Sequence, residues 1–160
     1  MKIKIYIETS VISYLTARLS RNIIIAGHQA ITQDFWKTLN LYDAYISELV
    51  VLEISCGDRK AAKTRLNAIT NLDELEINNE CKILAKQLIK SNAIPKQFPE
   101  DALHIAIAAY HKVDAIITWN FKHLNNPIAR SKIREALEKI GYNCPEICSP
   151  EIFLGGKYNV

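Results

Sequence analysis

The chain has 160 residues, 49% of them hydrophobic and 23% charged, with a formal net charge of +3. That size and apolar content suit one domain with its own core, without help from disulfides or a structural metal. The lack of long single-sign runs excludes a disordered chain, and so mild a charge does not by itself announce nucleic-acid binding. Apolar and polar residues alternate over 2–7, which predicts a first strand. Glu8-Thr9-Ser10 breaks that pattern, and Thr9 or Ser10 is placed to cap a helix through Val11, Ile12, Tyr14 and Leu15. A longer helix is expected over about 22–39, then a short strand over 43–46. Ser47 stands at an N-cap with Glu48 in the first turn, and that helix runs through Glu53 to stop at Gly57. Asp58 caps a helix bearing Arg59, Lys60, Lys63 and Arg65. A third strand is expected over 74–77, and Asn78 caps a helix through Ile89. A loop with Pro95 and Pro99 leads to a helix over 100–112. The nearly apolar run 115–119 reads as a central parallel strand covered on both faces. Pro127 opens a basic helix to Ile140, 145–148 is a last edge strand, and Ser149-Pro150-Glu151 starts a short terminal helix.

Strands that alternate with helices imply a three-layer α/β/α sandwich on a mostly parallel sheet. The domain is expected over residues 1–154, with 155–160 as a C-terminal tail. The opening Met1-Lys2-Ile3-Lys4-Ile5 leads at once into polar and acidic residues, and no apolar run approaches a membrane span. A soluble cytoplasmic protein is therefore expected. The scattered Cys56, Cys81, Cys144 and Cys148 read as reduced, small buried hydrophobes rather than a zinc site.

Sites in such sheets form outside the carboxyl ends of the strands. Glu8 ends the first strand, Asn120 follows the strand at 115–119, and Asp101 lies in the first turn of the helix before that strand. Glu53 is the oddest member. Val50, Val51, Leu52 and Ile54 surround it, and a carboxylate on a buried face is costly unless something pairs with it. Taken singly, Asp101 is explained by the helix macrodipole and Glu8 by a surface position. Taken together, three acids at one sheet edge repel each other unless a cation neutralises them. Hard oxygen ligands suit Mg²⁺ or Mn²⁺, ions that activate water for phosphodiester cleavage.

Four blocks carry a family resemblance: Tyr6-Ile7-Glu8-Thr9-Ser10-Val11-Ile12, Ser47-Glu48-Leu49-Val50-Val51-Leu52-Glu53-Ile54, Asp101-Ala102-Leu103-His104-Ile105-Ala106 and Ile117-Thr118-Trp119-Asn120. In this order they resemble a PIN domain, and most of all the VapC-type toxins of bacterial toxin–antitoxin pairs. The resemblance implies a metal-dependent endoribonuclease with Mg²⁺ or Mn²⁺ held at Glu8, Glu53 and Asp101. It also implies a separately encoded antitoxin and self-pairing into a homodimer. Asn120 matches a fourth position that is commonly Asp, and Glu8 stands where Asp is usual; one metal is the expectation rather than two. A hydroxyl after the first acid, Ser10 ahead of Thr9, would hydrogen-bond the acids or the attacking water.

His104, three residues after Asp101, shares its helix face and is expected either to contact substrate or to brace a carboxylate, half-buried. Arg18, Arg21, Lys96 and Lys122 are cations near the cleft that would steer RNA phosphates, with Thr9, His104, Lys122 and Arg18 as the substrate-binding set. His123 follows Asn120 closely and reads as a surface residue ahead of one facing the same cleft. Trp119 reads as core, and the Arg59–Arg65 cluster as a solvated face. Two rivals remain: a catalytically weak or inactive PIN domain that binds RNA or protein, and a flavodoxin-like signalling domain. The second lacks an evident phosphoacceptor Asp and its partner Lys.

Overall fold

The central strand is shorter and drier than its alternation suggests. In the computed structural model, which describes residues 1–155, β1 is Lys4–Ile7. Ile5, Tyr6 and Ile7 are all fully buried. An alternating strand would expose every second side chain, but β1 lies between two other strands and is covered on both faces. Outward from it on one side run β2 (Asp43–Ser47) and β3 (Asp73–Leu75), and on the other β4 (Ala115–Ile117) and β5 (Glu146–Cys148). The order is β3-β2-β1-β4-β5, and every pairing is parallel. β3 is centred earlier than the expected 74–77. β4 ends as a strand at Ile117, short of the expected 119, although the Thr118 amide still donates to the Cys148 carbonyl at 2.9 Å.

The eight helices among the described residues are α1 (Thr9–Thr16), α2 (Ile23–Trp36), α3 (Glu48–Ile54), α4 (Arg59–Ala68), α5 (Asn79–Lys90), α6 (Pro99–Tyr110), α7 (Pro127–Ile140) and α8 (Pro150–Leu154). α1, α2, α3, α4 and α8 pack among themselves, and α5, α6 and α7 do the same, giving the three layers. α6 is buried nearly all round, from Ala102 and His104 through Ala109, as a helix that is apolar on every side must be. None of these helices is long and apolar enough to cross a membrane.

Ser47, Asp58, Asn78 and Ser149 cap their helices as expected. α1 differs: its cap is Glu8 itself, whose carboxylate accepts the Ser10 amide hydrogen. Neither Thr9 nor Ser10 serves, because both already lie inside the first turn. α2 stops at Trp36 rather than near Leu39, where a separate 3-10 turn, Leu39–Leu41, takes over. Leu52 is 63% exposed, so the face carrying Glu53 is a boundary rather than a core face. All four cysteines are free; Cys81 and Cys148 are buried and Cys144 partly so, but Cys56 is exposed, against the expectation of burial. The expected tail at 155–160 falls, after Gly155, outside the described residues.

Candidate active site

The chain runs outward from β1 to β3 and returns across it to β4. The turn of direction therefore lies between β1 and β4, and the crevice at a parallel sheet's switch point opens at the strands' carboxyl ends. Glu8 follows β1 directly, and Thr118, Trp119 and Asn120 follow β4 directly. Glu8 N donates to the Ile117 carbonyl at 3.1 Å, which ties the two strand exits together.

Glu8 is buried and held on one oxygen. Its Oε2 accepts from the Ser10 amide at 3.1 Å, from Ser10 Oγ, and from Thr118 Oγ1 at 2.7 Å. Thr118 Oγ1 in turn accepts the Asn120 amide at 2.9 Å, and Ser10 Oγ accepts the Trp119 amide at 2.9 Å. Two hydroxyls thus clamp the carboxylate and shape the β4 exit at once.

Glu53 reaches the same place from α3. Its Oε1 accepts from Thr9 Oγ1 at 2.8 Å and from His104 Nε2 at 2.6 Å. His104 is not half-buried but sealed, 1% exposed, because the α6 face it occupies lies against β1. A carboxylate only accepts, so Nε2 carries the proton. Nδ1 lies 2.6 Å from the Tyr6 hydroxyl, which lies 2.8 Å from Ser47 Oγ. Ser47 is also the cap of α3, so the helix that delivers Glu53 and the histidine that holds it share one buried chain. Burial opposes a charge on His104, yet the Glu53 hydrogen bond and the charges of Glu8, Glu53 and Asp101 raise its pKa above the ordinary value. Burial would lift the Glu53 carboxyl, but His104 and Thr9 outweigh it and hold it below the usual range.

Asp101 takes the third side, from the first turn of α6. Asn120 Nδ2 donates to its Oδ1 at 3.1 Å, and His123 Nδ1 stands 2.8 Å from its Oδ2. Burial, reinforced by the charge of Glu8, pushes Asp101 above the usual range, and His123, His104 and Asn120 only partly oppose it. His123 is not the surface residue expected: it stacks on Phe98 with ring centres 3.7 Å apart, and its amide donates to Asn120 Oδ1 at 3.1 Å.

The structure therefore gathers Glu8, Glu53, Asp101, Asn120, Ser10, Thr9 and His104. The last two face carboxylates rather than open space. Lys122 is exposed next to His123, and Arg18 is exposed in the loop after α1, where its carbonyl accepts from Gln29. Trp119 is buried as expected; its indole donates to Thr32 Oγ1 at 2.8 Å and stacks on His28 at 4.2 Å. Thr118 and Tyr6 were missed, and His123 takes the cleft position ranked second to a surface one. The one signal for Thr118 was a hydroxyl in an otherwise apolar strand; for His123, its position one turn beyond Asn120.

Three carboxylates are hard donors of the kind Mg²⁺ and Mn²⁺ take. Among the described residues, as they are placed, no group of three or more His, Cys, Asp or Glu side chains is close enough together to hold a metal ion. The hydrogen bonds to Glu8 fall on Oε2 and those to Glu53 on Oε1, so each keeps a second oxygen for a cation. The donors suit such an ion in chemistry, although their side chains are not drawn together around one point. A hollow of about 500 Å³ at the other end of the sheet, lined by Trp36, Tyr42, Asp43 and Asp73, has no comparable set of acids.

Fold and site together define a class: an open parallel α/β domain with an acidic crevice at its switch point. The model of the PIN domain matches residues 5–126, which include all three acids, and the chain belongs to the PIN domain family. Members of that family are generally nucleases and generally depend on divalent metal. In fold the chain is similar to one in the crystal structure of VapBC2 from Rickettsia felis bound to a DNA fragment from their promoter. The likeness has a TM-score of 0.53 and 13% identity, and covers 76% of this chain and 90% of that one. No curated protein matches the sequence significantly.

Proposed function

We propose that this PIN domain is a metal-dependent endoribonuclease that hydrolyses RNA phosphodiesters at Glu8, Glu53 and Asp101. One observation carries the reading: three carboxylates from three elements meet around one buried histidine at the switch point. Glu8, Glu53 and Asp101 would hold Mg²⁺ or Mn²⁺. A bound ion of this kind supplies an activated water and neutralises charge on the phosphate. The protein's part is to aim the ligands: Ser10 and Thr118 fix the Glu8 rotamer, and Thr9 and His104 fix Glu53. Asn120 orients Asp101, and its amide in place of a fourth carboxylate favours one metal over two. The desolvated Asp101 gains most from a cation, which removes the charge that burial disfavours.

We further propose a toxin role in the cytoplasm, held in check by an antitoxin and paired into a homodimer. This rests on the resemblance of the four sequence blocks to VapC-type toxins, and the fold likeness to a chain of VapBC2 is in keeping with the antitoxin. A second reading has its own support. Each of the three acids already has a partner in the protein and, among the described residues, none of them joins a group placed to hold a metal ion, which favours a PIN domain that binds RNA or protein without cutting. RNA cleavage in Mg²⁺ or Mn²⁺, with and without chelator, separates the two. The nuclease should cut only with metal, and Asp101→Ala should lose on the order of 10² in rate or more. Wild type and Asp101→Ala equally inactive, with RNA still bound, would leave the second reading standing.

A further inference from the structure

Beside the acids a groove begins and runs away along α7. Its first part is lined by Lys122, His123, Asn126 and Lys132. It shares Asn92 and Lys132 with a second hollow, which shares Ser91, Ala136 and Lys139 with a third that reaches Lys90. Shared walls make these one groove over the seam between α5 and α7. Its near end is His123, 2.8 Å from Asp101. Its course from Ala129 to Ile140 is roughly 16 Å at the rise of an α-helix.

The charges along it are one-sided. Lys90, Lys122 and Lys132 are exposed and form no ion pair among the described residues. Lys139 pairs with Glu135 at 2.9 Å, but both are largely exposed, so water and salt weaken that pair. Glu135 is the one acid among the groove's lining residues. A polyanion is repelled by a cleft of three carboxylates unless cations hold it on the approach. The α4 cluster, denser in sequence, is partly committed elsewhere. Arg65 spends its guanidinium on the Ile54 and Cys56 carbonyls at 2.9 and 2.6 Å.

We propose that the α5–α7 groove is the track of the RNA strand, with Lys122, Lys132 and Lys90 holding phosphates on one side of the cleaved bond. The identity of the strand rests on the nuclease reading. The test is a salt titration of fluorescein-labelled single-stranded RNA by anisotropy, in chelator so that nothing is cut. Removing one lysine–phosphate pairing should lower the slope of log affinity against log salt by about 0.7. Lys122→Gln with Lys132→Gln should therefore lower it by about 1.4 and weaken binding about tenfold or more near 0.1 M salt. Arg59→Gln with Lys60→Gln on α4 should change neither, and arginine at 122 and 132 should restore both. Groove variants that keep the wild-type slope, a slope lowered by the α4 pair instead, or no RNA binding by the wild type each overturn the proposal. The two readings fail separately. Cleavage with an unaffected groove variant sinks the track alone; no cleavage in any metal, with the slope still lowered by the groove variant, sinks the nuclease alone.

Discussion

Glu53 with His104 and Asp101 with His123 are two carboxylate–histidine pairs in one crevice, and they behave differently. His104 is sealed in the core and tied at both nitrogens, to Glu53 and to Tyr6. His123 is tied to Asp101 through one nitrogen and lies flat on Phe98. Glu53 is accordingly held below the usual carboxyl range, by hydrogen bonds that overcome burial, whereas Asp101 is lifted by burial and by Glu8. The difference teaches that the pairing distance, 2.6 against 2.8 Å, decides little. Each carboxylate has two partners, so what decides is the charge around it against the water it has given up. His104 and Thr9 outweigh burial at Glu53, while the charge of Glu8 adds to burial at Asp101. One acid is braced as an anion; the other is left short of positive charge.

Removing each histidine is the strongest way to break that contrast. His104→Ala leaves Glu53 with Thr9 alone and the Tyr6 hydroxyl with Ser47 alone, and opens a buried cavity. It should cost on the order of 3 kcal/mol of stability and about 10–100-fold in Mn²⁺ affinity. His123→Ala removes a partner at the rim and should cost about 1 kcal/mol. Chemical denaturation and metal titration read both. Equal losses would mean that the two pairs are interchangeable supports.

The acids themselves were legible because each sits at a place that local rules mark: a strand end, a first helical turn, a carboxylate among aliphatic neighbours. The caps Ser47, Asp58 and Asn78 were legible for the same reason, since a cap acts within three residues. The strand–helix alternation carried the layers. The supports were not legible. Tyr6 meets His104 across 98 positions, and Thr118 meets Glu8 across 110; no local pattern contains such a contact. Glu8 as the cap of α1 was missed because Thr9 and Ser10 are the usual capping types, and they yielded to a carboxylate already fixed by Thr118. The exposure of Leu52 was missed because four apolar neighbours suggest burial, whereas only packing tells which face is covered.

The clamp on Glu8 offers a sharper cut of intermediate size. Thr118 Oγ1 donates to Glu8 and accepts from the Asn120 amide, and Asn120 is what orients Asp101. Thr118→Val keeps the shape and removes both bonds in a fully buried place. It should cost about 1–3 kcal/mol and, through Asn120, loosen the Asp101 pair while sparing Glu53. The imidazole NMR signals should separate the arms: those of His123 should shift and those of His104 should stay. Movement of both would show one coupled network instead of two arms.

The smallest effect is the most direct, because it reads the two carboxyls by sign rather than size. In metal-free protein, Glu53 has a folded pKa below its unfolded value near 4.3. Between those values the unfolded chain holds more protons, so stability rises with pH, and it is lost as pH falls through the folded pKa. Asp101 has a folded pKa above its unfolded value near 3.9. There the folded state holds more protons, so stability falls as pH rises from the unfolded value to the folded one. Wild type compared with Glu53→Gln should therefore gain stability as pH rises towards about 4.3, and wild type compared with Asp101→Asn should lose it as pH rises from about 3.9, so the acid range must be covered on both sides of about pH 4. Denaturation midpoints taken in chelator across that range give both difference curves. Slopes of the same sign would show that the crevice desolvates its acids alike and that His104 and Thr9 do not outweigh burial at Glu53.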